Sequence, residues 1–166
     1  MTAETILIGN DHGGVELKQR LLAHLAQRGI AADNVGSDAA QIVRYPLYAE
    51  KVAGAVSRGE VRRGILICST GIGMSIIANK FLGVRASLCT SVHMAKMTRA
   101  HNDSNLLCLG GKITDATEAL AIVDAWLDTP FEGGRHCISL DLIRAAEAKL
   151  LQPAKGKPSI QKIPAP

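Results

Sequence analysis

The chain has 166 residues, 47% of them hydrophobic and 20% charged, enough for one domain with a real core and too few for two. Aromatic residues are only 3%, so the core is expected to be aliphatic and little is left for stacking nucleic-acid bases. Net charge is +4, but Lys155, Lys157 and Lys162 in an acid-free tail supply three of those charges, and a body near about +1 does not point to nucleic acid. No apolar run approaches membrane-spanning length, and no basic segment precedes a long apolar one at the start, so no membrane role is expected.

Short apolar runs alternate with helical patterns along the chain. TILIG, residues 5–9, reads as a buried strand, followed by a turn at Asn10, Asp11, His12, Gly13 and Gly14. Residues 15–29 then place Val15, Leu17, Leu21, Leu22 and Leu25 mostly on one helical face and stop at Gly29. Residues 30–36 make a weak second strand, and a helix follows Pro46 through residue 59. GILIC, residues 64–68, is the third strand, with a helix at 74–81 after a glycine turn. Residues 83–89 form a fourth strand, 91–101 a helix, and 105–111 a fifth strand. A helix over 114–129 has Thr114 as its cap candidate, and a last helix covers roughly 138–151.

Five short strands with intervening helices predict a three-layer, doubly wound, Rossmann-like α/β fold. It has a five-stranded parallel sheet, helices on both faces and right-handed crossovers. Residues 1–152 are the expected domain, and the Pro/Lys-rich residues 153–166 a flexible tail or an arm on a neighbour. In such sheets the loops at the carboxyl ends of the strands line the ligand crevice. Three of them carry capable chemistry here: Asp11 and His12, Cys68 to Gly73, and Gly110 to Lys112.

Cys68 ends its strand where a helix begins, beside a glycine-bearing turn. Such a position favours a thiolate, and the amides around Gly71 and Gly73 can hold a developing oxyanion. A buried structural thiol is the plain alternative. Met74 stands where a cysteine phosphatase needs arginine, and Ile76 where a dinucleotide fingerprint needs its third glycine, so both readings fail. The four cysteines, 68, 89, 108 and 137, contain no C-x-x-C pair, so neither a zinc site nor a thioredoxin-like motif is expected. Cys89, Cys108 and Cys137 are assigned to structure, and Trp126 to the core. Asp11 can cap the first helix or serve a ligand, and His12 can donate to a phosphate from a helix start. His101, at a helix end, is by itself most simply a dipole-stabilised histidine. Arg135 can reach a phosphate or merely sit at a helix cap.

Taken together, six ordered blocks resemble ribose-5-phosphate isomerase type B and its relatives, including galactose-6-phosphate isomerase subunits. The blocks are IGNDHGGVELK, YPLYAEKV, GILICSTGIGMSIIANKF, GVRASLC, RAHNDSNLLCLGG and IVDAWLDTPFEGGRH, and the resemblance covers roughly residues 5–150. It implies aldose–ketose isomerisation of a small phosphorylated sugar without metal or other cofactor. It also implies a homodimer or tetramer whose sites are shared between subunits, while composition and cysteine spacing read as a cytoplasmic protein with reduced thiols and no nucleic-acid or membrane partner. Cys68 corresponds to the base that moves the proton between carbon-1 and carbon-2. Thr70, with the amides around Gly71, Gly73 and Ser75, would stabilise the enediolate. His101 would open the sugar ring and Asn102 would position substrate, both from the neighbouring subunit. Asp11 and Tyr45 would contact sugar hydroxyls, while His12, Lys112 and Arg135 would hold the phosphate.

The chain departs from the family where the far end of the substrate lies. Arg44 stands where an acid commonly precedes Tyr-Pro, Lys112 where arginine follows Gly-Gly, and Ser139 where many members carry a further arginine. Cys68-Ser69 replaces the usual Cys-Gly. Ribose 5-phosphate is the default substrate and a tetrose or hexose phosphate the alternative. A non-catalytic sugar-phosphate-binding homologue and a redox thiol protein remain as further classes.

Overall fold

The computed structural model of the chain describes residues 5–39 and 41–151. The expected tail at 153–166 lies outside the described residues. Five parallel strands, β1 (Ile6–Asn10), β2 (Ala32–Asn34), β3 (Gly64–Cys68), β4 (Ala86–Leu88) and β5 (Leu106–Gly110), stand in the order β2-β1-β3-β5-β4. Six helices accompany them: α1 (Val15–Gln27), α2 (Tyr45–Ser57), α3 (Ile72–Ala78), α4 (Val92–Asn102), α5 (Ala116–Asp128) and α6 (Arg135–Leu150). The doubly wound expectation holds. Among the described residues no helix is long and apolar enough to cross a membrane.

Alternation along the central strands builds two separate cores, because successive side chains point to opposite faces. Ile6, Ile8, Ile65, Ile67, Leu107 and Leu109 face α1, α4 and α5, where Leu21, Leu25, Ile122 and Trp126 meet them. Leu66, Cys68, Leu106 and Cys108 face α2 and α3, against Val52, Ala53, Met74 and Ala78. β3 and β5 are buried along their whole length, as a sheet covered on both faces requires. Crossovers running toward β2 use α1 and those running toward β4 use α2 and α3, on the opposite face. One handedness throughout demands that split. The chain therefore leaves β1 and β3 toward opposite faces, which opens a crevice at their carboxyl ends.

Several boundaries moved. The fifth helix is capped by Asp115, whose Oδ1 accepts from the Thr117 N–H at 2.8 Å, and not by Thr114. The third helix starts at Ile72 instead of 74, directly after Gly71, because an αL glycine (φ 77°) turns the chain sharply enough to begin it there. α6 starts at Arg135 instead of 138, after Gly133 and Gly134, both at positive φ. It buries only Leu140, leaving Ile138 64% and Leu142 67% exposed. Lys18 was not anticipated as a core residue. It is fully buried, donates to the Ser37 carbonyl at 2.8 Å and meets the Asp38 carboxylate, tying α1 to the loop after β2.

Candidate active site

The loops after β1, β3 and β5 converge at one end of the sheet, packed so closely that only glycine fits between them. A Cβ on Gly13 would stand 2.3 Å from the Ser69 Oγ, and one on Gly111 would stand 2.6 Å from the Gly13 carbonyl oxygen. Backbone bonds stitch the last two loops together: the Gly111 N–H donates to the Cys68 carbonyl at 2.7 Å, and Lys112 N–H to Ser69 at 3.0 Å. Gly110 lies directly opposite Cys68 in the sheet register.

Cys68 is 5% exposed, and the Gly71 N–H donates to its sulfur at 3.1 Å. That geometry follows from the αL conformation at Gly71. A Cβ there would meet Leu88 Cδ1 at 2.6 Å and the Leu109 carbonyl carbon at 2.9 Å, so no other residue is accommodated. Thr70 Oγ1 accepts from the Ile72 N–H at 3.4 Å, and Ser75 Oγ donates back to the Ile72 carbonyl at 2.8 Å. The Tyr45 ring lies over Gly73, where a Cβ would stand 2.8 Å from it.

Asp11 is buried, and its Oδ1 accepts from the Gly13 N–H at 2.8 Å. It caps a 3-10 turn at His12–Gly14 ahead of α1, so part of the capping alternative is realised. The Val43 N–H donates to His12 Nδ1 at 3.3 Å, which makes Nδ1 the acceptor and leaves Nε2–H as the donor. The sequence offered no sign of that contact. Nor did it show Asn10, whose buried amide donates to the Asp11 and Ser37 carbonyls at 2.7 and 2.9 Å and so supports the whole turn.

The other cysteines differ from Cys68. Burial pushes the Cys89 thiol up to about 11 and the fully enclosed Cys108 thiol higher still, closing both as bases. Cys108 faces the same core as Cys68 from the neighbouring strand but two residues out of register. Their Cα atoms are thus about 7–8 Å apart, beyond ordinary disulfide reach. Cys137, expected to be structural, is exposed on α6, and no core packing accounts for it.

The remaining candidates stand at the opposite end of the sheet. His101 and Asn102 close α4, just before the chain enters β5, while Cys68 closes β3. Over its five residues β3 rises roughly 13 Å, so one chain keeps His101 and Cys68 apart. Arg135 is exposed at the start of α6 on the His101 side, and the exposed Ser139 follows one turn later. Lys112 and Arg44 are exposed at the Cys68 end.

Around His101 the structure assembles neighbours to which the sequence reading gave no role. His136 stacks on it with centroids 4.2 Å apart and planes 11° from parallel. The Glu132 Oε2 lies 3.8 Å from His101 Nε2 and 3.5 Å from His136 Nε2, held there because the Glu132 N–H donates to the Ala100 carbonyl at 3.0 Å. The i, i+4 spacing of Glu132 and His136 was the available signal. Their ligand-type atoms all lie within 4.8 Å of one another. Imidazole lone pairs lie in the ring plane, however, and two nearly parallel stacked rings cannot both aim at one ion without rotating apart.

The chain matches the Ribose/Galactose Isomerase family model over residues 6–143. It is 45% identical over 144 residues to ribose-5-phosphate isomerase B of Escherichia coli (strain K12), covering 87% of this chain and 97% of that protein. The structure of Clostridium thermocellum ribose-5-phosphate isomerase B superposes with a TM-score of 0.86 at 46% identity, over 88% of this chain and 99% of that one. A D-erythrulose-4-phosphate isomerase of Pectobacterium atrosepticum is 37% identical over 131 residues, 78% of this chain and 86% of that protein. The chain belongs to the ribose/galactose isomerase family and is an aldose–ketose isomerase.

Proposed function

We propose that the chain interconverts ribose 5-phosphate and ribulose 5-phosphate through a cis-enediolate, with Cys68 as the base. The observation that carries this reading is the Cys68 sulfur at the end of β3, receiving the Gly71 N–H within the crevice shared by Asp11, His12 and Tyr45. The sulfur takes the carbon-2 proton of the open-chain aldose. The C–H electron pair becomes the C1=C2 bond, and charge moves onto O1. The amides at the start of α3 around Gly73 receive that charge, the Gly71 N–H being held by the sulfur and the Ser75 N–H by the Gly71 carbonyl, since preorganised N–H groups in a water-poor site stabilise an oxyanion more than water does. Thr70 relays a proton between O2 and O1, and the sulfur returns its proton to carbon-1. No covalent sugar–sulfur bond is needed.

Ring opening falls to His101, with Asn102 positioning the sugar. Both stand at the far end of their own sheet, so a second copy of the chain must deliver them to Cys68. The exposed apolar face of α6, with Ile138, Leu142 and Ile143, suits burial against that copy. Arg135 comes with the second copy, and joins His12 Nε2–H and Lys112 on the phosphate. A cytoplasmic location agrees with four cysteines left as thiols.

A second substrate within the same mechanism has its own support. Arg44, Lys112 and Ser139 change the phosphate end, and a relative is named for a four-carbon sugar phosphate. Proton NMR in deuterated water with ribose 5-phosphate, repeated with a tetrose 4-phosphate, decides. Deuterium at carbon-2 with ketose formation from the pentose supports the first reading. Turnover of the tetrose alone assigns the second, and exchange in neither sinks the enediolate mechanism.

A further inference from the structure

Residues 68–75 bring three aliphatic hydroxyls close to the Cys68 sulfur: Ser69, Thr70 and Ser75. Two of them are already engaged, since Thr70 Oγ1 accepts from the Ile72 N–H and Ser75 Oγ donates to the Ile72 carbonyl. The third, Ser69 Oγ, makes no hydrogen bond with any described residue. Ser69 is half-buried, yet its oxygen is not among the enclosed side-chain atoms left without a partner, which are Asn10 Oδ1 and Arg99 Nε. The hydroxyl therefore keeps an opening at the crevice, where one O–H and two lone pairs are free for a ligand.

Its place is fixed by both neighbouring loops. The Ser69 carbonyl accepts from the Lys112 N–H at 3.0 Å, which ties it to the loop after β5. Toward the loop after β1 it lies against the bare Cα of Gly13, where a Cβ would stand 2.3 Å from Oγ and 2.8 Å from the Ser69 nitrogen. Gly13 is held in turn by the Asp11 carboxylate, which accepts its N–H at 2.8 Å. Ser69 thus follows Cys68 in the chain and touches Lys112 and the neighbour of His12. A sugar with carbon-2 at the sulfur and its phosphate on His12 and Lys112 runs past Ser69 Oγ. The first group it brings there is the hydroxyl of carbon-3.

Building on Cys68 as the base and on His12 and Lys112 as phosphate contacts, we propose that Ser69 is a specificity-determining residue whose hydroxyl bonds the carbon-3 hydroxyl of the open-chain sugar phosphate. A partly enclosed hydroxyl whose partner is the substrate disfavours an analogue lacking that group, because the protein oxygen is then left unpaired. Pentose and tetrose phosphates both carry a carbon-3 hydroxyl, so the contact serves either chain length.

Solvent deuterium entry at carbon-2 and ketose formation are measured with ribose 5-phosphate and its 3-deoxy analogue. The unmodified chain, Ser69→Ala and Ser69→Gly are compared, and a tetrose 4-phosphate with its own 3-deoxy analogue is used if only the tetrose is turned over. In both variants kcat/KM on the hydroxylated sugar should fall about tenfold, while on the 3-deoxy analogue it should stay within about twofold. A serine that merely fills space against Gly13 gives equal losses on the two sugars, and that result would overturn the proposal. So would an unchanged kcat/KM on the hydroxylated sugar. Absence of exchange from every sugar with the unmodified chain would instead sink the enediolate reading itself, and the role of Ser69 with it.

Discussion

Mixing two inactive variants should restore activity. In one chain Cys68 ends β3 and His101 precedes β5, separated by more than the roughly 13 Å rise of a five-residue strand. Proton transfer needs heavy atoms about 3 Å apart, so the roles proposed for Cys68 and His101 on one sugar require Cys68 of one copy and His101 of another. Cys68→Ala alone and His101→Ala alone each spoil both sites of their own dimer for a cyclic substrate. A mixed dimer puts both substitutions into one site and leaves the other with an intact thiol and an intact imidazole. Random reassortment at equal concentrations makes half the dimers mixed, so activity on cyclic ribose 5-phosphate should recover to about a quarter of the unmodified value. The assay is a coupled ketose measurement before and after the variants are unfolded and refolded together. Recovery indistinguishable from the separate variants would mean that one chain supplies both groups, and the shared-site argument would fail.

Three further outcomes follow from particular contacts. Gly71→Ala should cost about 2–5 kcal/mol in urea unfolding, from an αL backbone and a Cβ pressed on Leu88 and Leu109. Gly29→Ala, also at positive φ but with nothing within 4 Å, should cost only the backbone part of about 1–2 kcal/mol. Equal losses would refute the packing account. Glu132→Gln keeps the shape beside His101 and His136 but removes the charge. It should slow cyclic substrate about two- to fivefold while leaving a tetrose 4-phosphate, which cannot close a furanose ring, unchanged. A matching loss on both would make Glu132 merely structural. Asp38 is held below the usual carboxylate range, first by the hydrogen bond from Lys18 and then by Asn34. Its folded-state pKa is depressed, so its contribution is complete above the unfolded value of about 3.9 and is lost as pH falls through the lower folded value. Urea unfolding at pH 6 and pH 3 should accordingly show a smaller acid-induced loss for Asp38→Asn than for the unmodified chain.

Much of this molecule could be read from the order of its residues. Hydrophobic period is a local property, so the five strands and the helices between them were visible, as was the burial of Trp126. The rule that chemistry gathers at the carboxyl ends of parallel strands then assigns Asp11, His12, Cys68 and Lys112 to one end of the sheet. Boundaries were missed where one backbone angle decides them. The αL turn at Gly71 starts α3 two residues early, and the Asp115 side chain rather than Thr114 caps α5.

What tertiary structure alone decided is distance between segments remote in sequence. Nothing local says that Val43 reaches His12, that Ser69 fills the space against Gly13, or that Lys18 is buried beneath the loop after β2. Nor does it say that His136 stacks on His101 with Glu132 beside both, or that four arginines from separate segments line one cavity. The separation of His101 from Cys68 is of the same kind. Strand length and direction set it, and motifs adjacent in a family pattern can stand at opposite ends of a sheet. Side-chain type and spacing determine which elements form and what chemistry is available. Which groups meet depends on how the sheet orders its strands, and that order is fixed by the packing of both cores at once.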